Sequence, residues 1–276
     1  MMTNRFLTAL CSMLPMALAF WACDEISTDD RFIDMDTVLP ERTVLIEDFT
    51  GQNCSNCPDA HAVIDLLKEQ YGDAVIAVSI HAGNFGIDVK NTSFPDNYIG
   101  LMEPEGNEYN DRWNINSWPA GVVNRNGGAM EHDKWAAAVR SALSSKATVD
   151  IEVEAAIADG KINIATKVSP KADIDGHLQL WITEDGIIAF QRNGSKRVPD
   201  YRHNHVFRAA VNGTWGESVD LDNGVHKEFS HSIALRNSAT EVWNPANMSV
   251  VAFVYDDSGV LQATKTRVIN QNNQPI

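Results

Sequence analysis

Cys54 and Cys57, spaced C-x-x-C, are the residues in this sequence whose type and spacing most directly permit chemistry. A thiolate attacks a disulfide sulfur, and a second thiol close by then releases the mixed disulfide. The spacing equally serves a fixed disulfide or half of a zinc site. A Cys₄ zinc site needs a second pair, and the other two cysteines, Cys11 and Cys23, lie in the first 23 residues. A Cys₂His₂ site needs two nearby histidines, and after His61 no second one follows at finger spacing. Redox activity and a structural disulfide therefore stay open. The loop closed by such a pair is short and strained, which favours redox lability.

The flanking segments say how the pair is held. Thr43–Phe49 (TVLIEDF) reads as a buried strand, Thr50–Asn53 as a turn, and the segment from Cys57 as a helix. Pro58 suits a first helical turn, Ala60, Ile64, Leu67 and Tyr71 keep helical spacing, and Gly72 ends the run. Cys54 thus stands before a helix N-terminus, where free N–H groups and the helix dipole stabilise a thiolate. Asp48 lies on the strand, six residues before Cys54. Ala74–Ile80 reads as a second buried strand, 82–112 as a loop-rich insert with a short helix near Glu105–Trp113, and Gly121–Asn124 as a short strand. Asn126-Gly127-Gly128 is a turn, and Glu131–Leu143 an amphipathic helix with Trp135, Val139 and Leu143 on one side. After residue 146 strand-like runs follow one another, punctuated by Asp159-Gly160, Asp185-Gly186, Asn223-Gly224 and Ser258-Gly259. This predicts an α/β domain over 41–146 and an all-β antiparallel, immunoglobulin-like sandwich over 147–276.

The chain has 276 residues, 44% of them hydrophobic, a globular composition long enough for two domains. The formal net charge of −15, with no Lys/Arg-rich run, disfavours nucleic acid as a partner. Positions 1–22 carry Arg5 and then an apolar run from Phe6 to Ala22, the pattern of a signal peptide. Ala22-Cys23 closes the run and resembles a bacterial lipoprotein box, although Phe20 and Trp21 stand where an aliphatic and a small residue are usual. That resemblance makes Cys23 the lipidated residue and 23–40 an acidic tether, with the outer membrane as partner through the anchor. Asp36-Thr37-Val38 resembles a short O-glycosylation acceptor.

The order strand, Asp, turn, Cys-x-x-Cys, helix, followed by Ile115-Asn116-Ser117-Trp118-Pro119-Ala120-Gly121-Val122-Val123, resembles the thioredoxin superfamily over 41–146. The resemblance implies Cys54 as the attacking thiolate, Cys57 as the resolving thiol, Asp48 as the buried proton acceptor for Cys57, and Trp118-Pro119, with a cis proline, as backbone presented to a substrate chain. Departures are Asn53 in place of Trp, Ser55-Asn56 in place of Gly-Pro, Pro58 after Cys57, and the long insert. His81, ending the second strand, is a candidate to approach Asp48. In the second half, Asp200-Tyr201-Arg202-His203-Asn204-His205-Val206-Phe207-Arg208, with Thr183-Glu184-Asp185-Gly186 and Gln191, resembles the twenty-eight-kilodalton outer-membrane lipoprotein family of Bacteroidetes. Location and architecture are what that family implies.

His203 and His205, two apart, would share a strand face, a spacing seen in metal sites. No third ligand is evident, so a structural role near Glu184, Asp185 or the domain interface is expected, with no metal and no cofactor. Two functions remain in view. One is thiol–disulfide exchange on cysteine-containing envelope proteins. The other is a non-enzymatic surface receptor, adhesin or scaffold. Exchange needs the Cys54 sulfur open beside Pro119, whereas a scaffold lets the second half or the insert cover it.

Overall fold

In the computed structural model residues 41–90, 99–238 and 241–270 are described. The expected signal peptide, Cys23, the acidic tether and Thr37 lie outside them. Strands β1 (Val44–Thr50) and β2 (Val75–His81) pair in parallel, Asp48 opposite Ser79 and Thr50 opposite His81. Both are buried throughout, as their continuous apolar runs require. Val44, Ile46, Val75 and Ala77 pack with Ala60, Ile64 and Leu67 of helix α1 (Cys57–Tyr71), a stripe at i, i+4, i+7. Trp135 and Val139 of helix α3 (Trp135–Leu143) complete that core. Leu45, Phe49, Ile76, Val78 and Ile80 belong to a second core on the opposite face. Strand β3 (Ala120–Val123) pairs antiparallel with β1, Gly121 opposite Asp48. Helix α2 (Pro104–Arg112) is the short helix expected in the insert. The expected helix Glu131–Leu143 begins instead as a 3₁₀ turn, His132–Lys134, and is α-helical only from Trp135.

The remainder is β-rich. The long strands β4 (Val149–Ala158) and β5 (Lys161–Pro170) turn at Asp159-Gly160, where both residues have positive φ, as this hairpin turn demands. Strand β6 (Ile174–Glu184) is followed by a two-stranded hairpin, β7 (Ile187–Asn193) and β8 (Lys196–His203). Next come β9 (Val206–Ala210), β10 (Glu217–Leu221), β11 (Lys227–Ala234), β12 (Met248–Asp256), β13 (Gly259–Arg267) and the short β14 (Ile269–Asn270). A four-stranded sheet, β11-β5-β4-β14, packs Val149, Ile151, Ile162 and Ile164 against Leu178, Leu180 and Ile182 of β6 and Val250 and Ala252 of β12. The opposite side of β6 and β12 carries Trp181, Val251 and Phe253 into the core shared with β1 and β2.

The architecture is therefore mixed α/β, with helices in the N-terminal part and a large β-rich C-terminal part. The main sheet crosses the expected boundary at 146/147. It has eight strands in the order β13-β12-β6-β9-β2-β1-β3, with β10 on β6, and all described residues fall in one compact unit. The junction is β9, which pairs antiparallel with β6 and parallel with β2, where Ser79 N–H donates to His205 O (2.8 Å). The strands after residue 147 build a four-stranded sheet of their own, β11-β5-β4-β14, while β6, β9, β12 and β13 extend the sheet started by β1–β3. One sequence expectation changes here. His203 and His205 do not share a strand face, because β8 ends at His203 and His205 sits in a left-handed connection (φ 58°) before β9.

Candidate functional site

Cys54 and Cys57 are joined as a disulfide at the start of α1, with Cys57 the first helical residue and Pro58 in the first turn. Both are buried, at 2% and 0% exposure. Cys54 N–H donates to Gly51 O (2.9 Å), and Asn53 N–H to Phe85 O (2.9 Å). Asp48 lies on β1, fully buried. Its Oδ2 accepts a hydrogen bond from Ser79 Oγ (3.1 Å), and its Oδ1 has no partner among the described residues. Burial pushes the carboxyl up to about 7, with the Ser79 bond pulling the other way. The Trp118–Pro119 bond is cis and leads directly into β3. Trp118 meets Phe85 edge to face (5.4 Å) and lies so close over Gly83 that a Cβ there would fall 2.3 Å from its ring.

The loop is covered. Gln191 of β7 donates through Nε2 to Cys54 O (2.9 Å) and Gly51 O (3.2 Å). Arg192 N–H donates to Gln52 O (2.8 Å), and Gly194 N–H to Ser55 O (2.8 Å). In return Gln52, fully buried, donates through Nε2 to Phe190 O (3.1 Å) and to Ile99 O (2.9 Å), while its Oε1 accepts from Leu101 N–H (3.1 Å). The β7–β8 hairpin is therefore stitched onto the C-x-x-C loop by backbone bonds and by a reciprocal pair of glutamines. Gln191 stood out in the sequence only as part of a family resemblance. Gln52 gave no signal, because a glutamine in a polar turn reads as exposed.

Behind the loop the histidines gather. His61 of α1, rather than His81, is the histidine beside Asp48, with Nε2 3.6 Å from Oδ2 and 3.1 Å from Thr50 Oγ1. Its Nδ1 shares a hydrogen bond with the Tyr201 hydroxyl (2.8 Å). His81 packs edge-on against His203 (5.2 Å), and neither of its ring nitrogens has a partner among the described residues. His203 Nε2 lies 3.3 Å from Phe190 O. Burial lowers His61 to about 4, with the charge of His205 adding to the effect, and lowers His203 to about 3, with His61 adding. Burial also drives His81 well down, with His203 next among the causes. In the Asp48–His61 contact both shifts favour the uncharged forms. A cavity of about 50 Å³ separates these rings, lined by His61, Ser79, His81, Tyr201 and His203 among others. His205 instead sits on Asp185, its backbone N–H donating to Oδ1 (2.6 Å) and its Nδ1 lying 2.8 Å from the same oxygen. Among the described residues no three His, Cys, Asp or Glu side chains are arranged to hold a metal ion.

The fold and this site define a mixed α/β protein with a capped C-x-x-C disulfide, and its sequence places it among outer membrane proteins. The chain belongs to the family described as Outer membrane protein Omp28, whose model matches residues 106–273. Among solved structures, HBP35 of Porphyromonas gingivalis shares the fold, with 12% identity, a TM-score of 0.64, and 84% of this chain and 76% of that one covered. A domain of the outer membrane lipoprotein Omp28 from Porphyromonas gingivalis matches at 26% identity and a TM-score of 0.35, covering 45% of this chain and 91% of that one. No curated protein matches. Among the described residues no helix is long and apolar enough to cross a membrane.

Proposed function

We propose that this protein is a lipoprotein of the outer membrane or cell surface that acts by binding rather than by thiol–disulfide exchange. On this reading a thioredoxin-like N-terminal part serves as scaffold, and the β-rich part is an immunoglobulin-like sandwich joined to it. The observation that carries the reading is the cover over the disulfide loop: Cys54 and Cys57 are buried, and the β7–β8 hairpin bonds directly to Gly51, Gln52, Cys54 and Ser55 through backbone and side chain. An attacking thiolate needs in-line access to a sulfur, and the hairpin occupies the loop that would grant it. Anchoring rests on Ala22-Cys23 and on the family. The test is reduction of the full chain by dithiothreitol, followed by alkylation and mass measurement. The pair stays oxidised in the native protein under conditions that reduce it fully in urea; equal rates in the two states would sink the reading.

A second reading has one specific support. The Asp48 carboxyl is raised to about 7, which suits the proton-acceptor role that the thioredoxin resemblance implies for it. Exchange with cysteine-containing envelope proteins then requires the hairpin to lift.

A further inference from the structure

The connection between β11 and β12 turns back on itself, with Trp243 N–H donating to Arg236 O (3.0 Å). It meets the N-terminal end of α2, and charged side chains from several elements converge there. Glu103 immediately precedes α2 and is 1% exposed. Arg236 and Glu241 come from the connection, Arg208 from β9 and Glu184 from the end of β6. Arg236 Nη1 donates to both Glu103 Oε2 (2.9 Å) and Glu241 Oε1 (3.0 Å). Glu241 Oε1 also accepts from Trp243 Nε1 (2.8 Å) and Arg208 Nη2 (3.4 Å). Arg208 Nε lies 3.5 Å from Glu184 Oε2, and Asn244 N–H donates to Glu184 Oε1 (2.9 Å).

Among the described residues this cluster sets three carboxylates against two guanidinium groups. Fully ionised, it would hold one excess negative charge in a place nearly closed to water, and an uncompensated buried charge is strongly destabilising. Glu103 Oε1 has no hydrogen-bond partner among the described residues when both carboxyls are taken as acceptors. Yet Glu103 and Glu241 converge on one Arg236 nitrogen and lie within hydrogen-bond reach of each other. Two ionised carboxylates cannot bond, because neither has a hydrogen to give. A single proton supplies that donor and cancels the excess charge. The two carboxyls have unequal claims on it. Burial pushes Glu103 up to about 8, with the charge of Glu241 adding and that of Arg236 opposing. Burial also works against an ionised Glu241, but the bond from Glu103 and the charge of Arg236 prevail and hold it below its ordinary value. The proton therefore rests on Glu103 and points at Glu241.

We propose that Glu103 and Glu241 share one proton in the native protein at neutral pH, and that this proton fastens the insert to the β-rich half, so that the junction loosens as the pH rises. The device stands whether the protein binds or exchanges disulfides. The segment it fastens is the one whose Ile99 O and Leu101 N–H are bonded by Gln52 of the C-x-x-C loop. The proton belongs to the pair rather than to one residue. The folded pair keeps it above the ordinary carboxyl value of 4.5, where the unfolded chain releases it. Its contribution to stability is thus full below that value and is lost as the pH climbs to about 8.

Glu103→Gln puts a permanent neutral donor where the acid stands. Urea unfolding of the full chain with its disulfide intact compares this variant with wild type from pH 5 to pH 9. The variant gains on wild type as the pH rises to about 8, by up to tenfold in the folding equilibrium constant per pH unit, and the gain then levels off. A ratio that does not change with pH overturns the proposal. Infrared spectra of wild-type chain carrying ¹³C-carboxyl glutamate read the proton directly, and they serve even if the variant fails to fold. The label separates this acid from Asp48. A label-shifted acid carbonyl band is present at pH 7 and fades by pH 9. Glu241→Gln removes the band at pH 7, because its amide donates to Glu103 in the acid's place. Absence of the band from wild type at pH 7 overturns the proposal, as does its persistence in Glu241→Gln.

Discussion

Asp48 and the histidines beside it bind protons in opposite senses, and this sets how stability changes with pH. The Asp48 carboxyl rises in the fold from 3.8 to about 7, so between those values the folded state holds a proton that the unfolded chain has released. Stability from this group falls as pH rises through that window, by about 1.4 kcal/mol per unit at most. His61 and His203 are lowered to about 4 and about 3, so from 6.5 downwards the unfolded chain takes up protons the fold refuses. Their contribution is lost as pH falls. The Asp48 slope and the slope of the two histidines therefore oppose each other between pH 6.5 and pH 4. Asp48→Asn removes the first of them. Urea unfolding of the variant shows a stability difference from wild type that shifts in the variant's favour from pH 4 to pH 7; a pH-independent difference would contradict the raised carboxyl. The sequence pointed to Asp48 through its strand and spacing. It could not show that His61 rather than His81 would be its neighbour, because that depends on how α1 lies across β1 and β2.

At the scale of elements, the proposed cover over the disulfide is the β7–β8 hairpin. Gln191→Ala leaves the carbonyls of Gly51 and Cys54 without this donor in a buried setting, at a cost of about 1–3 kcal/mol. The variant melts lower than wild type, and dithiothreitol reduces its native Cys54–Cys57 bond faster; an unchanged reduction rate would mean that the hairpin does not guard the pair. Half of this hairpin was hard to read. The run Ile187–Gln191 is apolar enough to suggest a strand, but Lys196–His203 carries Pro199 and alternating charges, and only His203 of it is buried. Pairing with β7 alone makes β8 a strand, and no hydrophobic period announces that. By contrast β4 was legible, since Val149 and Ile151 alternate with exposed Asp150 and Glu152.

For the whole molecule, the shared sheet predicts shared stability. The core of β1 and β2 includes Trp181, Phe207, Val251 and Phe253 from the C-terminal half. Residues 41–146 expressed alone therefore leave Leu45, Phe49 and Val78 without their partners and do not unfold cooperatively, whereas 41–276 melts in one transition. A sharp calorimetric peak from the fragment would show the halves to be independent. The change of texture near residue 146 was visible in the sequence, but a texture change cannot reveal that β9 inserts between β6 and β2, a long-range pairing. Anchoring is tested on the intact protein. Mass spectrometry of membrane-extracted material finds Cys23 as an acylated N-terminus, and Cys23→Ser releases the protein; a free Cys23 thiol in the membrane fraction would refute the anchor.

The hairpin proposed to seal the disulfide lies far downstream of the two cysteines, and together with the proposed export this implies an order of biogenesis. A chain exported from its N-terminus would expose Cys54 and Cys57 well before residues 187–203 arrive. In that interval the thiols are open to an oxidant. On the proposed reading, the hairpin closes them off once Gln191 has docked on Cys54 O. The bond has to be made before its lid is fitted, so a chain that closes while still reduced keeps its dithiol. Brief alkylation of newly exported chains, with and without oxidant during emergence, separates early from late bond formation. Maturation is then a race between an oxidase and the protein's own folding, won or lost once per molecule.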